Sequence, residues 1–141
     1  MIVEVHSLED TQKLAEAMAE KLRPGDIIAF AGGMGAGKTT FTRYLMEALG
    51  YKGEVHSPSY ALVNTYQTPA FTVEHYDMYR IDSPDDLYST GFYDELDGQK
   101  VLLVEWSEKV AEELPASAIR MTITPLSETG RQITIEGDAR F

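Results

Sequence analysis

GGMGAGKTT occupies residues 32–40 and puts four glycines, one lysine and two threonines into nine positions. Upstream lies DIIAFAG (26–32), a short apolar run with the character of a strand buried on both faces. Downstream lies KTTFTRYLMEALG (38–50), with Phe41, Tyr44, Leu45, Ala48 and Leu49 on one helical stripe and Gly50 as terminator. The glycine-rich stretch therefore joins a buried strand to an amphipathic helix. It satisfies G-x-x-x-x-G-K-[ST], with Gly32, Gly37, Lys38 and Thr39 at the fixed positions. A bare backbone can wrap closely around a polyphosphate and point successive N–H groups at its oxygens. The helix that follows adds its unpaired amides and the positive end of its macrodipole. Lys38 neutralises β/γ-phosphate charge, and the Thr39 hydroxyl can coordinate a bridging Mg²⁺. The plain alternative is a tight loop whose glycines only solve backbone geometry. The strand-before, helix-after context favours phosphate binding.

The same order of elements continues on both sides. IVEV (2–5) alternates as a strand, and SLEDTQKLAEAMAEKLRPG (7–25) reads as a helix capped by Ser7, with Asp10 in the capping-box position and Pro24-Gly25 as its end. Its apolar stripe is Leu8, Thr11, Leu14, Ala15, Met18 and Leu22. YALVNTY (60–66) and FTVEHYDMY (71–79) are expected strands flanking a turn at QTPA. SPDDLYSTGFYDEL (83–96) is expected to be wholly or partly helical, with Ser83 as cap, Pro84 at the first helical position and Gly91 against continuity. KVLLVEW (100–106) is another buried strand, and SEKVAEEL (107–114) a short helix closed by Pro115. IRMTITPL and RQITIEG, joined by SETG, predict a hairpin. The expectation is an α/β fold: one domain over 1–141, with a mixed central sheet flanked by helices.

The strand VLLVE delivers Glu105 at its C-terminal end, a position suited to a carboxylate beside Mg²⁺, directly or through water. A solvent-facing strand-end acid is the bland reading. Asp77, in HYDMYR (75–80), is a second candidate for orienting water or metal-bound water, and a turn carboxylate fits its spacing nearly as well. HSPSYALV (56–63) holds the place of a switch segment, where Ser57, Ser59 and Tyr60 could sense a γ-phosphate, or of a simple connector. His56 and His75 are not spaced as a metal pair; solvation or core hydrogen bonding suits them better. Six of the eight tyrosines fall between Tyr60 and Tyr93, as a protein-binding face or as core.

The chain has no cysteine, which excludes disulfides, thiolate zinc sites and cysteine nucleophiles and suits a cytoplasmic address. No secretory signal is expected in MIVEVHSLED, and no apolar run is long enough for a bilayer. Net charge is −11. Phosphate contacts need clustered Lys and Arg, so independent nucleic-acid binding is disfavoured, and a partner is expected to hold any RNA.

GMGAGKTTFTR, SPSYALVNTY, HYDMYR and LLVEW, in that order, resemble the TsaE family, the small bacterial P-loop ATPases of tRNA threonylcarbamoyladenosine biosynthesis. The resemblance spans nearly the whole chain. It implies a P-loop NTPase fold, ATP hydrolysis with Mg²⁺, and association with TsaB and TsaD, the pair that transfers threonylcarbamoyl to adenosine 37 of ANN-decoding tRNAs. The family's role is to drive that cycle, so tRNA is met only through partners, with no role for DNA or a membrane. Carried over by motif, Gly33, Met34, Gly35, Ala36, Gly37, Lys38, Thr39 and Thr40 hold the nucleotide, Thr39 and Glu105 the metal, and Lys38, Asp77 and Glu105 serve catalysis. Trp106 matches the tryptophan after the metal-side acid, and Thr11 a position near the base. Two departures stand out: Gly33 replaces a usual acid, and Ser59 replaces a usual threonine while keeping its hydroxyl.

Rival readings remain open. A small kinase also needs a phosphate loop, but the chain has six arginines and no arginine-rich lid segment. A switch GTPase lacks its N-K-x-D motif here. A non-catalytic regulatory nucleotide binder would share every phosphate-binding residue.

Overall fold

The computed structural model describes residues 1–32, 37–58 and 62–141. Its strands are β1 (Ile2–Val5), β2 (Ile27–Ala31), β3 (Val63–Gln67), β4 (Thr72–Asp77), β5 (Val101–Glu105), β6 (Ile119–Pro125) and β7 (Arg131–Glu136). Its helices are α1 (Leu8–Lys21), α2 (Lys38–Ala48) and α3 (Pro84–Ser89). The strands form one mixed sheet in the order β1-β7-β6-β2-β5-β4-β3. β6, β2, β5 and β4 run parallel in its centre, and antiparallel partners β7 and β3 continue it outward on either side. β1 closes the far edge against β7.

Two cores cover the two faces. One gathers α1, α2 and the strand positions Ile28, Phe30, Val73, Val101 and Leu103. The other gathers Ile27, Tyr76, Leu102 and Val104 under Leu87 of α3 and the segment after it. Strand side chains alternate between faces. Val101, Leu103 and Glu105 therefore share the α2 side, and so do Val73, His75 and Asp77 on the neighbouring strand. The acids at the ends of β4 and β5 are thus directed by the pleat to the face on which α2 packs.

α1 begins as its sequence indicates, with the Ser7 hydroxyl accepting from the Asp10 amide at 3.1 Å. The Asp10 carboxylate returns to the His6 amide, one residue ahead of the cap. α3 is capped by Ser83, and Gly91 at φ +80 separates it from a 3-10 segment, Phe92–Asp97. Three expectations shift. Leu8 of the α1 stripe is exposed. The buried face of α2 is Lys38, Phe41, Thr42, Leu45 and Met46, with Ala48 outside it. That face packs against α1 and the sheet, and burying Met46 there excludes more apolar surface than burying Ala48 would. SEKVAEEL forms two short 3-10 turns, Ser107–Lys109 and Ala111–Glu113. A helix this short has little cooperative support, and Val110 leaves helical dihedrals (φ −130°, ψ 20°) to bury in the second core.

Candidate functional site

The site is built where β2 ends. Gly32 has φ +128°, and a Cβ there would lie 2.5 Å from the Ile123 carbonyl oxygen on β6. Only glycine lets the chain leave the sheet so close to its neighbour. The chain re-enters at Gly37, φ +105°, where a Cβ would meet no described atom within 4 Å. Gly37 then starts α2. Ser7 and Ser83 cap the other two helices, but α2 has no side-chain cap among the described residues and no acid in its first turn. A first turn with no such cap and no acid has the electrostatic character an anion needs.

Lys38 lies on the buried stripe of α2 and is 6% exposed. Its Nζ donates to the Gly32 carbonyl at 3.0 Å and sits 5.0 Å from the centre of the Trp106 ring. A cation over an indole face is attracted by the ring quadrupole. Lys38 thus bridges the start and end of the loop with a bond it can exchange for a phosphate oxygen.

A cleft of about 980 Å³ opens here, at the upper end of the range for small-molecule sites. Gly37, Lys38, Thr39, Thr40, Asp77, Glu105 and Trp106 line it. It lies beyond the carboxyl ends of the central parallel strands, where ligands of open α/β sheets bind. Asp77 and Glu105 are register partners on β4 and β5. The Asp77 Oδ1 accepts the Tyr79 amide at 2.9 Å. Ser107 ties the exit of β5 to β2 by donating to the Phe30 carbonyl at 2.8 Å. The two non-glycine residues with positive φ among those described, Leu62 (70°) and Trp106 (57°), both line the cleft. Backbone strain of this kind concentrates at functional sites.

The sequence-predicted residues divide as follows. Gly37, Lys38, Thr39, Thr40, Asp77 and Glu105 meet in the cleft, with Trp106 beside them and Ser57 on its wall. Gly33, Met34, Gly35, Ala36, Ser59 and Tyr60 lie outside the described residues. Thr11 is in the first turn of α1, donates to the Ser7 carbonyl and does not line this cleft. His56 is exposed. His75 is fully buried, and its core partner is Glu105: Nε2 and Oε2 are 2.6 Å apart. The two-residue period from Asp77 back to His75 was the available sequence signal for that contact.

The residues fit a magnesium nucleotide. Among those described, no three His, Asp or Glu side chains converge into a ready-made metal cage. Mg²⁺ prefers one or two protein oxygens completed by phosphates and water. Thr39 and Glu105, which both line the cleft, offer oxygens of that kind.

Comparison with known proteins agrees with this geometry. The family model described as "Threonylcarbamoyl adenosine biosynthesis protein TsaE" matches residues 5–133. A tRNA threonylcarbamoyladenosine biosynthesis protein TsaE of Aquifex aeolicus is 40% identical over 133 residues, covering 93% of this chain and 92% of the relative. Its namesake in Rickettsia felis is 39% identical over 90% of this chain and 74% of the relative. The Bacillus subtilis protein of that name is 34% identical over 89% of this chain and 78% of its own. The crystal structure of Bacillus subtilis YdiB superposes with a TM-score of 0.83 at 29% identity, covering all of this chain and 88% of that one. The mixed sheet, the cleft at its parallel centre and these matches together place the chain in the TsaE family.

Proposed function

We propose that the chain is a Mg²⁺-dependent ATPase that serves tRNA N6-threonylcarbamoyladenosine biosynthesis by acting on a TsaB–TsaD type complex. One observation carries the reading: Lys38, at the mouth of a glycine loop, shares a cleft with two buried carboxylates, Asp77 and Glu105. The family relationship supplies the pathway.

Lys38 exchanges the Gly32 carbonyl for a β/γ-phosphate oxygen and neutralises its charge. The amides of the first α2 turn donate to the same phosphates. Thr39 and Glu105 would hold Mg²⁺, which would supply neutralisation of the charge on the transferred phosphoryl oxygens. Asp77 orients the attacking water from the adjacent strand end. Ser57, on the cleft wall, reports occupancy to the segment it begins and so to a partner. Among the described residues Arg80 is the one arginine lining the cleft, which favours water over a second substrate as acceptor, since kinases of this type clamp the phosphoryl group with several. With net charge −11, tRNA is met through partner proteins. The setting is the cytoplasm; no helix among the described residues is long and apolar enough to cross a membrane.

The test is ATP titration followed by phosphate release with and without Mg²⁺, in the isolated chain and with partner proteins. The expected result is metal-dependent release that Lys38→Ala removes. Tight ATP binding with no release under any condition would favour the regulatory-binder reading.

A further inference from the structure

His75 is 0% exposed in the core beneath the cleft. A buried imidazole is costly unless both ring nitrogens are paired. Both are. Nδ1 lies 3.2 Å from the Tyr66 hydroxyl, and Nε2 lies 2.6 Å from Glu105 Oε2. The second distance is shorter than an ordinary N–H···O bond and has the closeness of a charge-assisted one.

The chain of contacts continues. The Tyr66 hydroxyl donates to the His56 carbonyl at 3.2 Å, and Asn64 Nδ2 donates to that carbonyl at 3.1 Å. Burial pushes the Tyr66 hydroxyl above the usual phenol range, so it keeps its single proton. The same hydroxyl lies within hydrogen-bond distance of Nδ1 of His75 and so links the imidazole to the His56 carbonyl. Nε2 pairs with Glu105 Oε2 and so fixes one carboxylate oxygen. The second oxygen is left to the cleft that Glu105 lines. Ser57, next to His56, lines the same cleft. A buried hydrogen-bond chain therefore runs from Glu105 through His75 and Tyr66 to the backbone of His56, next to Ser57 of the cleft lining.

We propose that His75 is a positioning residue that fixes the Glu105 carboxylate and, through Tyr66, couples it to the backbone entering the Ser57–Pro58 segment. The inference rests on the ATPase reading and deepens it. An aliphatic side chain would fill the core at this position as well as histidine does, on the face it shares with Val73. What an aliphatic residue cannot do is hold a carboxylate oxygen. Outer partners of this kind set the orientation of metal-side groups, and their loss costs about 10–100-fold in metal affinity or activity.

The experiment uses the full chain as wild type, His75→Leu and His75→Gln, each with its melting temperature recorded. Three quantities are read: metal-free ADP affinity by calorimetry, Mn²⁺ affinity of the ADP complex by electron paramagnetic resonance, and kcat with KM for phosphate release. For His75→Leu the expected result is ADP affinity within about twofold of wild type, with Mn²⁺ affinity and kcat reduced about 10–100-fold and KM held. His75→Gln, which keeps an N–H donor at that depth, regains most of both. His75→Leu matching wild type in Mn²⁺ affinity and kcat overturns the proposal. So does an equal loss in both variants that follows only the melting temperature. If His75→Leu does not fold, nitrogen-15 NMR of the wild-type imidazole decides: an Nε2–H signal that shifts when Mg²⁺ and ADP are added supports positioning, and one that stays fixed overturns it. Failure of wild type to bind ADP at all rejects the ATPase reading itself, a result distinct from any difference among the His75 variants.

Discussion

Asp77 and Glu105 face each other in register across the β4–β5 ladder, so two carboxylates, 7% and 5% exposed, end adjacent parallel strands within the cleft that Lys38 lines. Two nearby acids invite two roles, one on the metal side and one toward water. Glu105→Gln keeps the shape and loses the charge. Its nucleotide affinity is expected to stay within about threefold of wild type, with hydrolysis slowed by about 10²-fold or more, the usual scale for a lost catalytic acid or base. Calorimetry and phosphate release, run beside Asp77→Asn, check this. Wild-type turnover in Glu105→Gln would move the dominant role to Asp77.

Lys38→Ala removes a nearly buried ammonium from the mouth of the loop. A charge-assisted contact is worth about 1.5–3 kcal/mol, so ATP affinity should fall by at least about tenfold in calorimetry. Trp106, the single tryptophan, gives a second readout because the Lys38 ammonium lies over its ring. ATP is expected to change its emission in wild type and to leave it nearly unchanged in Lys38→Ala at the same concentration. Unchanged affinity in the variant would take Lys38 out of the site.

Gly32→Ala tests the exit from β2. The added methyl meets a backbone carbonyl, that of Ile123, at a φ of +128°. The backbone strain alone costs about 1–3 kcal/mol, and the contact adds to it. Urea unfolding should show a lower midpoint with an unchanged slope. A midpoint equal to that of wild type would mean that the loop can leave the sheet by another path.

Arg140 clamps the C-terminal segment to the start of β2. It bonds Asp26, Asp138 and the Lys21 carbonyl. The hydrogen bonds from Arg140 hold the Asp138 carboxyl below its ordinary 3.8, at about 2. A group depressed in the folded state stabilises above its unfolded pKa and loses that contribution as pH falls through the folded value. The contribution is therefore present above about pH 4 and disappears between about pH 4 and 2. Arg140→Met is expected to lower the melting temperature at neutral pH, and the gap to wild type should narrow across that acid window. A gap that is constant from pH 7 to 2 would assign the effect to packing over Phe141, whose ring lies under the guanidinium.

Local features of the chain were readable in advance. The glycines and apolar run around Lys38 indicated the strand before them and the helix after them, because turn chemistry and periodicity act over a few residues. The SETG hairpin and the Ser7 and Ser83 caps are local for the same reason. What was not readable depends on distant pairings. The bond between His75 and Glu105 spans 30 residues and exists because β4 and β5 are parallel neighbours in a particular register. The placement of Lys38 over Trp106 requires β5 to lie beside β2. The buried face of α2 includes Met46 rather than Ala48 because α1 and the sheet select which side chains are enclosed. Val110 interrupts a helical pattern because the second core draws it inward.

Multiple-turnover tRNA modification is the most direct measure of the central claim. It uses this chain with its TsaB and TsaD counterparts, threonylcarbamoyl-adenylate, ATP, Mg²⁺ and unmodified tRNA. Modified adenosine should accumulate well beyond one equivalent per TsaB–TsaD complex only with this chain and ATP present, and Lys38→Ala should return it to the level seen without the chain. Equal multiple-turnover modification without this chain, or full support from Lys38→Ala, would contradict an ATP-driven role in that cycle.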